Sequence, residues 1–469
     1  MQTVVMKFGG TSVGSAEAIT QASTIVETHR TEWDRIVVVV SAMRGVTDAL
    51  IEGARTAAQG DDQTYRGIVS DLRVRHTLAT AELLDDQESR TALLKIVDGY
   101  LDEFATFCHS VHVLGEVTPR AMDAISSLGE RVNARIVAAR LRGHGLRATA
   151  VDATQLIVTD SRFQQATPLM DQTRARVQEH LMPLLEEGII PVVTGFMGAT
   201  EDGVTTTLGR GGSDYSASIL GAALDADEVW TWTDVDGVLT SDPRIVSDAR
   251  IIPELSYSEV GELAYFGAKV LHPKTIRPVV ERGIPLWVKN TFNPSCPGTR
   301  IVAEPKNTPG TVKAVTAIHG LSMVTVEGRG MMGVPGIAAR TFSAVASQGT
   351  SVLMISQASS EQSICFVIPT EDVSSVIAAL EQELALELAR RDIDRVWSMD
   401  DIVIVSAVGA GMRGTPGVAA GLFNALASEH INVIAIAQGS SECSISLVVN
   451  AEQATHAVRR IHDQVINHG

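Results

Sequence analysis

The residues best suited to chemistry form one short stretch, Thr205–Asp214, with the sequence Thr-Thr-Thr-Leu-Gly-Arg-Gly-Gly-Ser-Asp. Its three glycines leave backbone N–H groups free to converge on an anion. Arg210 can donate two parallel hydrogen bonds to a carboxylate or phosphate, and Asp214 lies where a helix is predicted to begin. The stretch therefore predicts a phosphate-binding loop at a helix N-terminus, as in an enzyme of phosphoryl transfer.

Other polar residues suited to phosphate chemistry follow predicted strands. They lie in Lys7–Ser12, Ser41–Thr47, Thr233–Gly237 and Gly267–Pro273, while Glu130 lies on a predicted helix. The sequence contains no GxxxxGK[ST] motif and no HRD or DFG motif, which excludes a P-loop enzyme and a protein kinase. Phosphoryl transfer needs cations on the phosphates, a metal ion and an oriented acceptor. His272, beside Pro273, is interpreted as structural and not as a general base.

The composition restricts the class of protein. The chain has 469 residues, enough for roughly three domains. A net charge of −17 and an aromatic content of 4% argue against nucleic acid and anionic membranes as partners. The four cysteines show no metal-binding spacing and are interpreted as thiols in a reducing compartment. No signal peptide or spanning segment is recognised, so we expect a soluble, cytoplasmic protein.

The first 300 residues alternate β-rich runs with helical patterns, which predicts a mostly parallel sheet covered by helices. The predicted strands are Val4–Phe8, Ile36–Ser41, Ala148–Asp152, Ile190–Gly195, Glu228–Thr233 and Leu286–Lys289. Thr205–Thr207, beside Gly203, is predicted to lie in a hairpin at the rim of the sheet.

The remaining residues contain a repeat. Gly330–Ala339 recurs as Gly411–Ala420, and Gln357–Glu361 recurs as Gln438–Glu442, both at an offset of 81 residues. Each copy is predicted to run strand, helix, strand, strand, helix, and the first copy also offers a strand at 393–397. We expect 312–318 to complete the second module by pairing with Leu447 or its neighbours, so that the first module is inserted within the second.

Each module also contains a GxGxxG sequence, Gly328–Gly333 and Gly409–Gly414. Dinucleotide binding requires an acidic residue about 20 positions further on. The next strands end at Gln357 and Gln438 instead. The glycines are therefore interpreted as tight turns in a ligand or interface loop.

Three motifs together resemble aspartate kinases of the amino-acid kinase family: Lys7–Ser12, Thr207–Asp214 and Phe266–Pro273. The doubled module resembles their paired ACT regulatory domains, and the resemblance is greatest to the kinase half of bifunctional aspartate kinase–homoserine dehydrogenases. It implies an amino-acid kinase fold over 1–300 followed by ferredoxin-like βαββαβ domains at 319–398 and at 311–318 plus 399–469. No dehydrogenase portion follows Gly469, so we expect a monofunctional enzyme.

The resemblance implies transfer of the γ-phosphoryl group of ATP to the side-chain carboxylate of L-aspartate. Its pKa of ~3.9 makes this carboxylate a nucleophile at neutral pH, so no general base is needed. The implied catalytic residues are Lys7 and Asp214. The implied aspartate contacts are Ser41, Thr47, Glu130, Arg210, Gly211, Gly212 and Ser213, and the implied nucleotide contacts are Lys7, Gly9, Gly10, Ser12, Thr233, Asp234, Leu239, Arg244, Lys269 and Val270. Leu239 stands where many relatives carry Tyr. Mg²⁺ is implied by ATP, with no dedicated protein cage.

The resemblance also implies feedback regulation and assembly into a homodimer or larger homo-oligomer. Gln357 and Gln438 match effector-contacting glutamines of threonine-sensitive relatives, and Leu353 stands where some lysine-sensitive relatives carry an acid, so threonine is favoured over lysine. Alternatively, these glutamines satisfy loop backbone. Two other functions stay open: an acetylglutamate or glutamate kinase, and a non-catalytic amino-acid sensor.

Overall fold

Buried apolar strands form the centre of the molecule's first unit. The computed structural model describes residues 1–266, 271–305, 311–332, 334–357 and 362–467. Their contacts divide the chain into two compact units. The first contains Met1–Val238, Ile251–Tyr257 and the described part of Leu271–Pro305. The second contains Leu239–Arg250 and the described parts of Ser258–Val270 and Lys306–Gly469.

The first unit is built around a sheet of eight described strands in the order β3-β4-β2-β1-β7-β9-β10-β8. Neighbours are parallel except β9 and β10. The predicted mostly parallel sheet is confirmed. The strands of this unit are β1 (Thr3–Phe8), β2 (Arg35–Val40), β3 (Ala148–Val151), β4 (Ile190–Thr194), β5 (Met197–Ala199), β6 (Thr205–Thr207), β7 (Glu228–Thr233), β8 (Glu254–Ser256), β9 (Leu286–Asn290) and β10 (Thr299–Val302).

The six strands predicted for this unit all form, with ends within one residue of the predicted ends. β1 and β2 read Thr-Val-Val-Met-Lys-Phe and Arg-Ile-Val-Val-Val-Val, and nearly every position is buried because both faces of the sheet are covered. β5 and β6 form the predicted hairpin outside the main sheet. Since β4, β2, β1 and β7 are parallel neighbours, their carboxyl ends meet at one edge.

Helices cover this sheet, and several begin with a side-chain cap. Ser15, Asp61, Asp86 and Thr118 accept hydrogen bonds from backbone N–H groups at the starts of α1, α3, α4 and α5. The helices are α1 (Ala16–His29), α2 (Val46–Ala58), α3 (Asp62–Leu83), α4 (Gln87–Leu114), α5 (Pro119–Ser126), α6 (Leu128–Gly143), α7 (Met170–His180), α8 (Met182–Glu186), α9 (Gly212–Leu224), α10 (Tyr257–Tyr265) and α11 (Pro273–Arg282). α10 begins in the first unit and continues in the second.

The second unit contains a sheet of six described strands in the order β12-β13-β11-β14-β16-β15. The strands are β11 (Ala314–Glu327), β12 (Met354–Gln357), β13 (Ser363–Pro369), β14 (Arg395–Val408), β15 (Ala435–Gln438) and β16 (Ser444–Asn450). The helices are α12 (Ile337–Ser347), α13 (Val373–Glu383), α14 (Ala385–Arg390), α15 (Val418–Ala427) and α16 (Ala451–His462). Each half has its own apolar core, one around Phe366 and Leu380 and the other around Leu447 and Ile461.

The two modules share their longest strands. The second half of β11 pairs with β13 and the first half of β14, whereas residues 314–318 pair with 404–408 of β14. The register shifts after Ile318, near Gly320, whose φ is 73°, and the equivalent position in β14 is Asp401, with φ 54°. Each long strand therefore changes module at a left-handed residue.

The expected pairing of 312–318 with Leu447 was wrong. Residues 314–318 join the sheet of the second module, but they pair with β14, and β16, which carries Leu447, lies along the other edge of β14. The physical reason is the strand order: the closing strand lies beside the first strand of its module.

The GxGxxG glycines pack directly against backbone. A Cβ on Gly328 would lie 2.3 Å from the carbonyl oxygen of Asp392, and one on Gly409 would lie 2.4 Å from that of Thr311. Asp392 and Thr311 are also offset by 81 residues, so both modules use the same close approach. Glycine at these two positions therefore allows each loop to pass close to the segment that leads into the closing strand of the same module.

Helix α10 is anchored to both modules of the second unit. The Glu259 carboxylate is fully buried, contacts Lys313 Nζ at 3.0 Å and accepts a 2.6 Å hydrogen bond from the Ala410 N–H. The Tyr265 hydroxyl donates to the carbonyl of Leu353 at 2.9 Å, just before β12. A segment from the middle of the chain is thus part of the second unit's structure.

Gly409→Ala is expected to destabilise the second unit by roughly 1–3 kcal/mol, because its Cβ would overlap the Thr311 backbone, which cannot rotate away. Urea unfolding followed by circular dichroism measures the change. Gly421→Ala is the matched control: its Cβ would lie 3.9 Å from Val465, so stability should stay level or rise by up to ~1 kcal/mol. Equal stability of the two variants would contradict the close-packing interpretation.

Candidate active site

The Gly209–Asp214 loop connects β6 to α9. Gly209 and Gly211 have left-handed φ values of 79° and 71°. A Cβ on Gly212 would lie 2.7 Å from Cδ2 of Phe196, so this position also requires glycine. α9 begins at Gly212 with no side-chain cap, at the position where the sequence predicts a helix start, and anion binding there stays a prediction.

Lys7 and Asp214 form an ion pair at the edge of the sheet. The Lys7 ammonium lies 2.7 Å from the Asp214 carboxylate, and the Lys7 side chain is 9% exposed. Lys7 is held by β1, and Asp214 is the third residue of α9, where the helix dipole favours a negative charge. The pair therefore places a cation beside the glycine loop.

These residues line a cavity of about 550 Å³. It includes each residue predicted to contact aspartate and both predicted catalytic residues. From the predicted set, the lining contains Lys7, Gly10, Ser41, Thr47, Glu130, Arg210, Gly211, Gly212, Ser213 and Asp214. Residues distant in sequence thus meet at the carboxyl ends of β1 and β2 and the start of α9.

Glu130 is the most unusual group in the cavity. It is 3% exposed, and its Oε2 has no hydrogen-bond partner among the described residues. Burial raises the pKa of Glu130 to about 8, although N–H groups of Ala42 and Glu130 itself lower it. A buried carboxyl group with an open acceptor facing a cavity indicates a site for a cationic group of a ligand.

Two contacts explain how Glu130 reaches this position. A Cβ on Gly129 would lie 2.8 Å from Ala42 Cβ, so glycine lets α6 approach the segment after β2. The amide of Asn133, one turn later on α6, donates a 2.7 Å hydrogen bond to the Ser41 carbonyl. The helix and the strand end are thereby fixed to each other.

The predicted nucleotide contacts are distributed more widely. The Ser12 hydroxyl is fully buried, donates to the Trp232 carbonyl and accepts a 2.7 Å hydrogen bond from Thr291, while the Gly9 N–H donates to Trp232 as well. Thr233 ends β7 and Asp234 follows it, and the Thr233 hydroxyl donates a 3.2 Å hydrogen bond to the Asp234 carboxylate. Their roles toward a nucleotide stay predictions.

The other predicted nucleotide residues lie outside this unit or outside the described residues. Leu239 and Arg244 belong to the second unit, where Arg244 pairs with Asp242 at 2.6 Å. Lys269 and Val270 lie outside the described residues. His272 caps α11, and its Nδ1 accepts the Lys274 N–H, which supports the structural interpretation of this residue.

Several cavity residues were missed by sequence reasoning, among them Asp123, Gln164 and Phe196. Gln164 and Phe196 both have a φ of 69°, which is rare for residues with a side chain. Burial raises the pKa of Asp123, against hydrogen bonds from Gln164 and Thr207 that lower it. The sequence Gly195-Phe196-Met197-Gly198, which runs from the end of β4 into β5, was the available signal for Phe196, whereas Asp123 and Gln164 had none.

Comparison with known proteins decides the family. The model of the amino acid kinase family matches residues 2–290. This chain belongs to that family. The ACT domain model matches residues 324–384 and 405–465, again 81 residues apart. The resemblance stated from the sequence is confirmed, as is the fold class.

Relatives narrow the family to the aspartokinases. The chain is 39% identical to the bifunctional aspartokinase/homoserine dehydrogenase 1 of Arabidopsis thaliana over 98% of its length, but it spans only 50% of that protein. Aspartokinase 3 of the same plant is 35% identical over 98% of this chain and 81% of its own length. The chain is thus an aspartokinase by family, spanning about half of the bifunctional relatives.

Solved structures agree. Two crystal structures of E. coli aspartokinase III, one with lysine and aspartate and one with aspartate and ADP, superpose with TM-scores of 0.81 and 0.79 at 28% and 30% identity. Both comparisons cover 99% of this chain and all of the other. Of the helices that the structure describes here, none combines the length and apolar character needed to cross a membrane.

Glu130→Gln is expected to change how stability depends on pH. An acid whose pKa is raised in the folded state does not lower the stability at pH values below its ordinary pKa of 4.5. Above that pH it destabilises the folded state more and more, until the pH reaches the folded-state pKa of about 8. The free energy of unfolding of Glu130→Gln should therefore gain on that of the unsubstituted protein by on the order of 3 kcal/mol between pH 5 and pH 8.

Urea unfolding without ligands at both pH values measures this difference. Glu82→Gln, on the exposed face of α3, is the control and should show no such gain. A pH-independent difference between Glu130→Gln and the unsubstituted protein would show that Glu130 titrates normally.

Proposed function

We propose that this protein is an aspartate kinase, which transfers the γ-phosphoryl group of ATP to the β-carboxylate of L-aspartate and produces 4-phospho-L-aspartate. The observation that carries the proposal is the cavity that combines the Lys7–Asp214 pair, the open Glu130 carboxylate and Arg210. This set offers one cation for a phosphoryl group, a guanidinium for the carboxylate of an amino acid, and a buried acid that an ammonium group would stabilise in its ionised form. The aspartate found with E. coli aspartokinase III supports the assignment.

Aspartate itself is recognised by its two α-substituents. Arg210 binds the α-carboxylate through its planar guanidinium, and Glu130 binds the α-ammonium. The gain is large at Glu130, because an ammonium group supplies the missing partner of a buried acceptor. Ser41, Thr47 and Ser213 complete the contacts, and the β-carboxylate is directed toward Lys7.

Transfer needs electrostatic stabilisation and no proton abstraction. The β-carboxylate is ionised at neutral pH and attacks the γ-phosphorus, while the bond to the β–γ bridging oxygen breaks and ADP leaves. Lys7 neutralises charge on the transferring group, and the N–H groups at Gly10 and the start of α9 add dipoles. Asp214 holds the Lys7 ammonium at the edge of the sheet and orients the phosphate groups of ATP.

The nucleotide and its metal ion are part of the same proposal. Thr233, Asp234, Leu239, Arg244, Lys269 and Val270 are the proposed contacts of ATP, supported by the ADP bound to E. coli aspartokinase III. Within the described ranges, no cluster of three His, Cys, Asp or Glu side chains could hold a metal. Asp214 is the carboxylate that would face a Mg²⁺ ion bound with ATP, and the ion would neutralise charge on the phosphates.

The open carboxylate also separates the proposal from two alternatives. Acetylglutamate carries an uncharged amide in place of the ammonium, so it would offer the buried Glu130 oxygen one neutral N–H and no positive charge. A non-catalytic amino-acid sensor has no use for the Lys7–Asp214 pair beside a glycine loop. Glutamate keeps both α-substituents and differs only in length, so it is the informative competitor.

Regulation is proposed to come from the ACT modules. A cavity of about 320 Å³ lies inside the first module between α12 and β12, and Gln357 lines it with Met331, Pro335 and Ile364. We propose that an end-product amino acid binds to Gln357 and Gln438, threonine in preference to lysine, and slows the first step of lysine, threonine and methionine synthesis. E. coli aspartokinase III is found with lysine.

We propose a cytoplasmic homodimer or larger homo-oligomer formed through the ACT domains. The proposed division of the chain is a kinase domain at 1–300, a first ACT domain at 319–398 and a second at 311–318 plus 399–469. The shared strands β11 and β14 support the discontinuous second domain.

Acyl-phosphate formation from aspartate, glutamate and acetylglutamate tests the activity, and only aspartate should be a good substrate. Arg210→Ala should raise the KM for aspartate by about 10–100-fold and the KM for ATP far less, because a charged hydrogen bond contributes ~1.5–3 kcal/mol. Lys7→Ala should instead lower kcat by about 10²–10³-fold.

Arg66→Ala, on the surface of α3, is the control for both variants and should leave all three constants unchanged. Equal effects of Arg210→Ala on the two KM values would contradict the proposal that Arg210 binds the α-carboxylate of aspartate. An unchanged kcat in Lys7→Ala would remove the role of Lys7. A preference for glutamate over aspartate would show that glutamate is the substrate.

Titration of the activity with threonine, lysine and methionine tests the regulation. Threonine should inhibit, and Gln357→Ala should raise the half-inhibiting concentration by about 10-fold, the loss of one polar contact. Gln382→Ala, exposed on α13, is the control. Inhibition by lysine alone would show that lysine, and not threonine, is the effector. An unchanged threonine response in Gln357→Ala would show that Gln357 does not contact the effector and only satisfies loop backbone.

A further inference from the structure

We propose that Asp123 is a positioning residue that fixes the Arg210-bearing loop in the shape that binds the acceptor amino acid. The proposal rests on the proposed function, in which Arg210 binds the α-carboxylate of aspartate. Asp123 lies on α5, lines the cavity and is fully buried.

The Asp123 carboxylate ties together two segments that are far apart in sequence. Oδ1 accepts hydrogen bonds from the Gln164 N–H at 3.1 Å and the Thr207 hydroxyl at 2.8 Å. Oδ2 accepts from the Gln164 N–H and the Thr207 N–H, both at 3.0 Å. Oδ1 therefore accepts from one backbone and one side-chain donor, and Oδ2 accepts from two backbone donors of these two segments.

This pattern differs from that of Glu130 in the same cavity. Each oxygen of Asp123 already accepts two hydrogen bonds, which is about the capacity of a carboxylate oxygen. Glu130 has an oxygen without any partner among the described residues. Asp123 is satisfied inside the protein and suits a positioning role, whereas Glu130 suits contact with a ligand.

The two segments held by Asp123 enclose the glycine loop. Thr207 ends β6 and is separated from Gly209 by one residue and from Arg210 by two. The Gln164 carbonyl oxygen would lie 3.0 Å from a Cβ on Gly209, so the Gln164 peptide packs directly against the loop. The Ala166 N–H also donates to the Thr207 carbonyl at 2.9 Å.

Two strained residues show that this arrangement is imposed. Gln164 has a left-handed φ of 69° although it carries a side chain, and such conformations persist only where surrounding contacts hold them. The Asp123 carboxylate accepts the N–H of that very residue. On the other side of the loop, the Phe196 carbonyl accepts the Leu208 N–H at 2.9 Å. The loop before Arg210 is thus held from two sides.

Asp123→Asn tests the proposal, because an amide keeps the shape but presents N–H groups to at least one donor. We expect the KM for aspartate to rise at least 10-fold and the KM for ATP to change less than about 3-fold. Amide hydrogen exchange of a fragment spanning 205–214 should become at least 10-fold faster. Asp71→Asn, exposed on α3, is the matched control and should match the unsubstituted protein in every measurement.

A folded Asp123→Asn with an unchanged aspartate KM, or with equal rises in both KM values, would overturn the proposal. A general structural role would lower the melting temperature and the folded fraction without separating the two KM values. If Asp123→Asn does not fold, Thr207→Val removes one hydroxyl only, and it must raise the aspartate KM selectively for the proposal to stand.

The exchange measurement separates this proposal from the proposed function. It is made without substrate, so it reports on the loop even if the unsubstituted protein phosphorylates a different amino acid. Absence of aspartate phosphorylation by the unsubstituted protein would defeat the function alone. Unchanged exchange of 205–214 in folded Asp123→Asn would defeat the positioning role whatever the substrate is.

Discussion

A buried ammonium group at the end of the central strand sets the main constraint on the first unit. Lys7 stands in a buried strand whose residues 4–6 and 8 are apolar, so its charge must be matched within the protein. Asp214 supplies that match at 2.7 Å, at the positive end of α9. The glycine loop before α9 must then lie against the sheet edge, which explains the close approach of Gly212 to Phe196.

The same edge shows two ways of treating a buried carboxyl group. Asp123 is surrounded by donors from the protein, and its charge is used to hold backbone in place. Glu130 is left short of one partner, and burial raises its pKa to about 8. The free energy lost at Glu130 in the empty protein is available to a ligand that brings a positive charge. Rigidity and affinity are thus provided by different acids in one cavity.

Much of this could be predicted from sequence. Runs such as Ile36–Val40 are long enough only for buried strands, and glycines beside Arg210 and Lys7 point to the chemistry at strand ends. Asp123 could not be predicted, because its partners lie 41 and 84 residues further along the chain. The continuous strands β11 and β14 were also missed, since a repeat suggests separate modules and conceals a strand shared by both.

Helix α10 and the segment Leu239–Arg250 have a consequence for the architecture of relatives. Both belong to the second unit although they are encoded within the kinase half, and Val246 lies in the core of the second ACT module. A cut after residue 305 would leave these segments without the partners that cover them, including the Lys313 contact of Glu259. Exchange of regulatory halves between relatives therefore has to transfer three pieces of sequence, and recombination at a single crossover is disfavoured by the fold itself.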